Sequence, residues 1–221
     1  SKSTFVWLSI ISEKSFSLNK EINETYAAIP KGIKASISDI LYDLSYTEMV
    51  LSLSRLYDNT SKKYPTRCLK QLYSYVKSEN YNIDISEFRE DALFQLPSFG
   101  FNASFIEMFK DSSTTEFNKR TVLYFESLEM NEPLCSYINK LKEIRDKFLA
   151  HNEDIQIDTL LPYDNIEHLI KHAQDVIAFF AITYCGVHLK SSEGFYLSDS
   201  AKKWQRTYNR FINDEEWRKT I

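Results

Sequence analysis

Across residues 163 to 188, Ile166, Ile170, Ala173, Ile177, Phe180 and Tyr184 return at alternating steps of four and three residues. Only a helix brings such a series onto one face. The chain has four glycines and five prolines, so few points exist where a long helix would have to break. These two features point to an all-α protein made of long amphipathic helices. The spacing predicts helices over 4–28, 33–57, about 65–78, 115–130, about 133–151, 163–188 and about 200–217. Pro30-Lys31-Gly32 and Asn59-Thr60-Ser61 separate the first three, and Pro133 sits where a proline suits a first helical turn. Ser198-Asp199-Ser200 offers capping side chains to the last helix. Residues 81–114 read as less regular, with a short helix over 86–94 and a loop over 96–100. Residues 155–158 alternate like a short strand or an extended link. Residues 33–57 are apolar on nearly every side, which is expected of a helix at the centre of a core.

With 221 residues the chain can bury a sizeable core as one helical domain over 1–190. A C-terminal helical extension, 191–221, should pack on the same domain. The 15 phenylalanines supply that core, and many of the 14 tyrosines are expected at its boundary with water or at an interface. The formal net charge of −4 excludes a protein that coats nucleic acid along its whole surface, but not one with a local basic site. No apolar run is long enough for a membrane span, and residues 5–11 are too short a stretch for a secretory signal. Cys68, Cys135 and Cys185 are widely spaced and odd in number. They suit reduced thiols in a cytoplasm better than a disulfide frame or a zinc site.

One stretch departs from this pattern. In Ile144-Arg145-Asp146-Lys147-Phe148-Leu149-Ala150-His151, an arginine, an adjacent acid and a histidine sit at the end of an apolar stripe. With Leu141 as origin and about 100° per residue, Leu134, Tyr137, Ile138, Ile144, Phe148 and Leu149 fall within roughly 80°. Arg145 lies inside that arc at about +40°, and His151 at its edge at about −80°. An arginine there must find an anion in the core, at an interface or on a ligand.

This stretch resembles the arginine–histidine motif of the HEPN superfamily, all-helical domains that include many bacterial RNA-cleaving toxins. In that family the residue after the arginine is usually Asn, Asp or His, and here it is Asp146. The form Arg-Asp-Lys-x-x-Ala-His looks most like the abortive-infection branch. Leu51-Ser52-Leu53-Ser54-Arg55-Leu56-Tyr57-Asp58 is similar to a second element of that branch, an apolar helix ending in Arg-Leu-x-Asp. The resemblance covers roughly residues 5 to 190. It implies a HEPN-type helical bundle, here with an additional C-terminal helix, and a metal-independent endoribonuclease of antiphage defence or a toxin. RNA is then the substrate, no cofactor is implied, and an antitoxin or another defence protein is an expected partner. His151 would be general acid or base, Arg145 the phosphate clamp, and Asp146 would orient one of them. The resemblance equally admits a non-catalytic module that binds RNA or a partner protein.

The residue types fit the chemistry. A histidine titrates near neutral pH, and an arginine offers paired planar donors to phosphate oxygens. On an unbroken helix Arg145 and His151 would stand about 120° and about 9 Å apart. Either the helix ends between them, or two copies line one cleft, and the resemblance favours the homodimer. The competing reading of the same residues is an ion-pair layer with a helix-terminal histidine.

Glu48 and Arg55 share a helical face with Ile37, Leu41, Leu44 and Leu51, and Asp58 extends that line. Charges on such a face need partners, so Arg55 is expected to pair with Asp146, and Asp58 with Arg145 or Lys147. Two basic patches are candidates for RNA. One has Lys62, Lys63, Arg67, Lys70 and Lys77 beside Tyr64, Tyr73 and Tyr75. The other has Lys202, Lys203, Arg206 and Arg210 beside Trp204 and Tyr208. His168 and His172 have metal-binding helical spacing, but they lie opposite the apolar stripe and are expected on a solvated face.

Overall fold

In the computed structural model the chain is an all-α helical bundle. The structure describes residues 3–29, 32–60, 67–78, 89–99, 101–110, 112–150, 160–191, 194–195 and 198–213. The helices are α1 (Ser3–Thr25), α2 (Ile33–Leu56), α3 (Leu69–Lys77), α4 (Arg89–Gln95), α5 (Ala103–Lys110), α6 (Thr114–Met130), α7 (Leu134–Ala150), α8 (Tyr163–Cys185) and α9 (Asp199–Asn213). A two-residue antiparallel ribbon, Lys190–Ser191 with Gly194–Phe195, lies between α8 and α9. Among the described residues no helix is long and apolar enough to cross a membrane.

The helix bounds follow local chemistry. Ser113 accepts a hydrogen bond from the backbone N–H of Glu116 at 3.2 Å and so starts α6. Gly186 adopts the left-handed conformation (φ 62°) that closes α8. Its N–H reaches Ile182 O at 3.0 Å, and the N–H of Val187 reaches Ala181 O at 3.1 Å. This glycine ends α8 at Cys185, three residues before the end that periodicity alone suggests. The region read as irregular holds α4 and α5, and the expected loop at 96–100 begins with a 3-10 turn, Leu96–Phe99. These segments are too short for a clear helical period. They are held by packing instead, since Leu96, Phe99, Phe101 and Phe109 are all buried.

The main core surrounds α8, where Leu169, Ala173, Val176 and Phe179 have no exposed surface. Phe179 is its hub. Its ring lies 5.7 Å from Phe101, 5.6 Å from Phe99 and 5.5 Å from Phe125, between centroids. Each such ring contributes about 2–3 kcal/mol of burial and further edge-to-face attraction. Tyrosines enter this interior more deeply than expected, with Tyr46, Tyr57, Tyr73 and Tyr208 all buried. Several carry a hydroxyl across to another helix, which satisfies the polar end within the bundle.

The packing of α1 against α2 corrects the reading of α2. The face turned to α1 carries Ser38, Ser45 and Ser52, with Tyr42, Met49 and Leu56 between them at alternating four- and three-residue steps. Opposite it, α1 presents Leu8, Ser12, Ser15, Asn19 and Ile22 at the same steps. Ser12 Oγ meets Ser52 Oγ at 2.8 Å, and Asn19 Nδ2 donates to Ser45 Oγ at 3.1 Å and to Tyr42 O at 2.8 Å. Contacts that run backward along α2 as α1 advances make the pair antiparallel. Small side chains let the two backbones approach, and the hydroxyls of Ser12, Ser45 and Ser52 find partners across the seam. Ile37, Leu41 and Leu51 flank this seam and are only partly buried, and Leu44 faces outward. In particular Ile40 is 59 % exposed and Leu44 62 % exposed, so α2 is not central on every side.

α9 packs on α1. Tyr208 and Ile212 form a second, smaller core with Leu18, Ile22 and Ile29, against which Leu41 and Phe211 rest. Buried Lys34 donates to the carbonyls of Phe211 (3.1 Å) and Ile212 (3.0 Å), fastening the end of α9 to the start of α2.

Candidate functional site

α7 buries Ile138, Leu141 and Ile144 and thereby turns Arg145 toward the end of α2. The Arg145 side chain is only 26 % exposed. Its Nη1 lies 3.2 Å from Asp58 Oδ1, and its Nη2 and Nε each lie 2.8 Å from Asp146 Oδ1. Asp58 Oδ1 also accepts the backbone N–H of Asn59 at 3.0 Å, which fixes the carboxylate just past the helix. Burial pulls the guanidinium's pKa down, but the hydrogen bonds to Asp146 and Asp58 outweigh it and hold Arg145 above its ordinary range. A guanidinium has five N–H groups, so donors remain for a further anion.

Of the pairings expected between α2 and α7, Asp58 with Arg145 is present. Arg55 does not pair with Asp146, because Asp146 folds back onto its own neighbour Arg145 and Arg55 is exposed on the outer face of α2. Lys147 pairs with Glu143 one helical turn earlier, at 2.7 Å, and not with Asp58. His151 lies outside the described residues, as do Lys62, Lys63, Tyr64 and the stretch 155–158.

A larger polar cluster surrounds Arg145. Lys70 of α3 donates to Asn59 Oδ1 at 2.7 Å, so a continuous line of contacts runs from Arg145 through Asp58 and Asn59 to α3. Lys142 stands one turn before Arg145. Its pKa is lowered by burial first, then by the charge of Lys70, with Arg145 adding to the effect and Asp58 and Glu129 opposing it. Glu129, at the end of α6, accepts the Tyr73 hydroxyl at 2.7 Å. Burial raises its pKa above the usual carboxylate range, against that hydrogen bond and Lys70. Lys142 belongs to this cluster although it is not part of the arginine–histidine stretch's motif. Its sequence signal is its i, i+3 spacing from Arg145 on the rim of the apolar stripe.

The two basic patches differ. Arg67 is exposed, while Tyr73 is buried and cannot stack on a base, and Lys77 is paired with Glu126 of α6 at 2.5 Å. On α9, Lys202, Lys203, Arg206 and Arg210 are exposed and Trp204 is 47 % exposed. Lys14 of α1 lies over its ring at 5.6 Å, and Tyr208 is buried with its hydroxyl on Ser38 Oγ at 2.9 Å.

His172 corrects another expectation. It is half-buried, because the end of α2 closes over this position while Glu167, His168 and Lys171 beside it stay exposed. The Tyr57 ring stacks on it at 5.9 Å, and Phe125 meets it edge-on at 6.4 Å. The Tyr57 hydroxyl donates to Leu169 O at 2.7 Å, so His172 Nδ1, 2.9 Å away, must donate to Tyr57. Its Nε2 is buried with no hydrogen-bond partner among the described residues. Burial lowers its pKa to about 4, so the ring is neutral near pH 7. His168, by contrast, is exposed and lies 6.0 Å from the Tyr137 ring. Among the described residues no group of His, Cys, Asp and Glu is arranged to hold a metal ion, and none of the three cysteines is in a disulfide.

No family model, curated protein or solved structure matches the chain.

Proposed function

We propose that this chain is a metal-independent endoribonuclease of the HEPN type, acting in antiphage abortive infection or as a toxin. The observation that carries the reading is the position of Arg145. A guanidinium at the edge of the core, six residues before His151, is held in place by Asp58 from another helix. A positioned guanidinium is what in-line attack on a phosphodiester needs, since charge accumulates on the non-bridging oxygens. In the reaction the RNA 2′-hydroxyl attacks the adjacent phosphorus and gives up its proton, and the bond to the 5′-oxygen breaks as that oxygen takes a proton. A 2′,3′-cyclic phosphate and a 5′-hydroxyl result. His151 serves one of the proton transfers, Arg145 neutralises the phosphorane, and Asp146 orients Arg145. Two copies form a homodimer whose motifs share a cleft.

A second reading has its own support. Arg145 already contacts two carboxylates, which suits an ion-pair layer in a fold kept without the activity, as in a non-catalytic module (an antitoxin or sensor) that binds RNA or a partner protein through other residues. Cleavage of a labelled mixed RNA pool in EDTA separates the two. Cleavage by wild type and not by His151→Ala, leaving cyclic-phosphate ends, supports the nuclease. Retention of RNA without cleavage by either protein supports the binding module.

A further inference from the structure

Three cations from two helices converge beside Asp58. Arg145 and Lys142 lie one turn apart on α7, so their stems are neighbours on one helical face. Lys70 reaches the same place from α3 through Asn59, the residue bonded to Asp58. The charges in this cluster are not balanced pair by pair. Arg145 holds Asp58 and Asp146. The hydrogen bond of Lys70 goes to a neutral amide oxygen. Lys142 makes no ion pair among the described residues, although Asp58 and Glu129 are near enough to act on it through space. Glu129 accepts the Tyr73 hydroxyl at one oxygen and makes no ion pair among the described residues. Lys142 is half-buried beside two other cations, and among the described residues no carboxylate is in ion-pair contact with it, so its ammonium keeps donors for an anion that reaches it. The cluster therefore favours an incoming anion more than an exposed lysine on a lone helix face does.

We propose that Lys142 and Lys70, together with Arg145, form a phosphate-binding track between α7 and α3 that grips the phosphodiester next to the one being cut. The proposal rests on the ribonuclease reading for its ligand, a single RNA strand, and it makes this track, not the α9 patch, the principal RNA contact. The α9 cations surround a tryptophan already covered on one side by Lys14, and their tyrosine is buried. Here the cations instead adjoin the residue that meets the scissile phosphate.

The test is binding of a fluorescein-labelled single-stranded RNA, read by anisotropy at two salt concentrations. The full-length chain carries His151→Ala so that the probe survives. In that background Lys142→Gln and Lys70→Gln should each weaken binding about five- to tenfold and flatten the salt dependence by about one ion. Lys142→Arg should restore most of the affinity, and Lys202→Gln with Lys203→Gln should change it less than twofold. Far-ultraviolet circular dichroism and thermal melting confirm that each variant is folded. Unchanged binding in both Gln variants overturns the proposal, as does loss confined to the α9 variants or no RNA binding by the parent. The two readings fail separately. If wild type does not cut RNA but binding depends on Lys142 and Lys70, the nuclease falls and the track stands. If it cuts RNA and the lysines do not matter, the reverse holds.

Discussion

Arg145 on α7 reaches Asp58, the second residue past the end of α2, at 3.2 Å. Residues 87 positions apart thus fix where two helices meet. The pair is about two-thirds shielded from water on both sides, between an exposed ion pair and a fully buried one. A double-mutant cycle of Arg145→Ala and Asp58→Ala, followed by urea denaturation, should give a coupling of about 1 kcal/mol. On the ribonuclease reading, the same Arg145→Ala variant should lose about a hundredfold or more in RNA cleavage while staying folded. A coupling near zero, with cleavage intact, would leave the pair no role in either.

Asn19 ties three elements together. Its Nδ2 donates to Tyr42 O and Ser45 Oγ on α2, and its Oδ1 accepts the Tyr163 hydroxyl of α8 at 2.6 Å. Asn19→Leu keeps the volume but strands these buried groups. We expect a loss of about 2–3 kcal/mol in urea unfolding, larger than for Ser36→Ala on the exposed side of α2.

The pH dependence of stability should carry the mark of His172. Its folded pKa, about 4, lies below its ordinary value of 6.5 because burial disfavours the charged ring. The unfolded chain therefore binds the proton first. The contribution of the neutral ring is complete above about pH 6.5 and is lost as pH falls toward 4. It amounts to about 3 kcal/mol at most. Glu13, Glu129 and Asp175, raised chiefly by burial, act in the opposite sense, since their folded forms take protons more readily. They are common to wild type and His172→Phe. The difference between the two proteins across pH 4 to 7, measured by urea midpoints, should show the histidine alone, with the wild type losing more on acidification.

Lys34 should govern the docking of α9. Lys34→Met removes two hydrogen bonds to the carbonyls of Phe211 and Ile212 and leaves the stem in place. Amide exchange in α9 should accelerate about tenfold, corresponding to about 1.4 kcal/mol, while exchange in α8 stays unchanged. Equal acceleration in both helices would mean that α9 does not open independently.

Periodicity and the scarcity of glycine and proline were enough to make this chain a helical bundle and to locate α1, α2, α6, α7 and α8, because long amphipathic helices write their spacing directly into the sequence. They were enough also to mark Arg145 as a charge that needs an anion, and Asp58 as a candidate for it. What lay beyond them depends on which side of a helix its neighbours occupy. The buried seam of α2 alternates Ser38, Ser45 and Ser52 with Tyr42, Met49 and Leu56, so a helix that reads as apolar on nearly every side buries small polar residues against α1 and leaves Ile40 and Leu44 exposed. His172 is drawn partly into the interior because Tyr57 and Phe125 arrive from elsewhere in the chain, whereas Arg55 stays exposed beside the face that α1 covers. Lys142 and Lys70 join Arg145 only once α3 and the residues after α2 come together. One-dimensional spacing determines the face that a helix can bury, but the partner that covers it is a property of the tertiary structure alone.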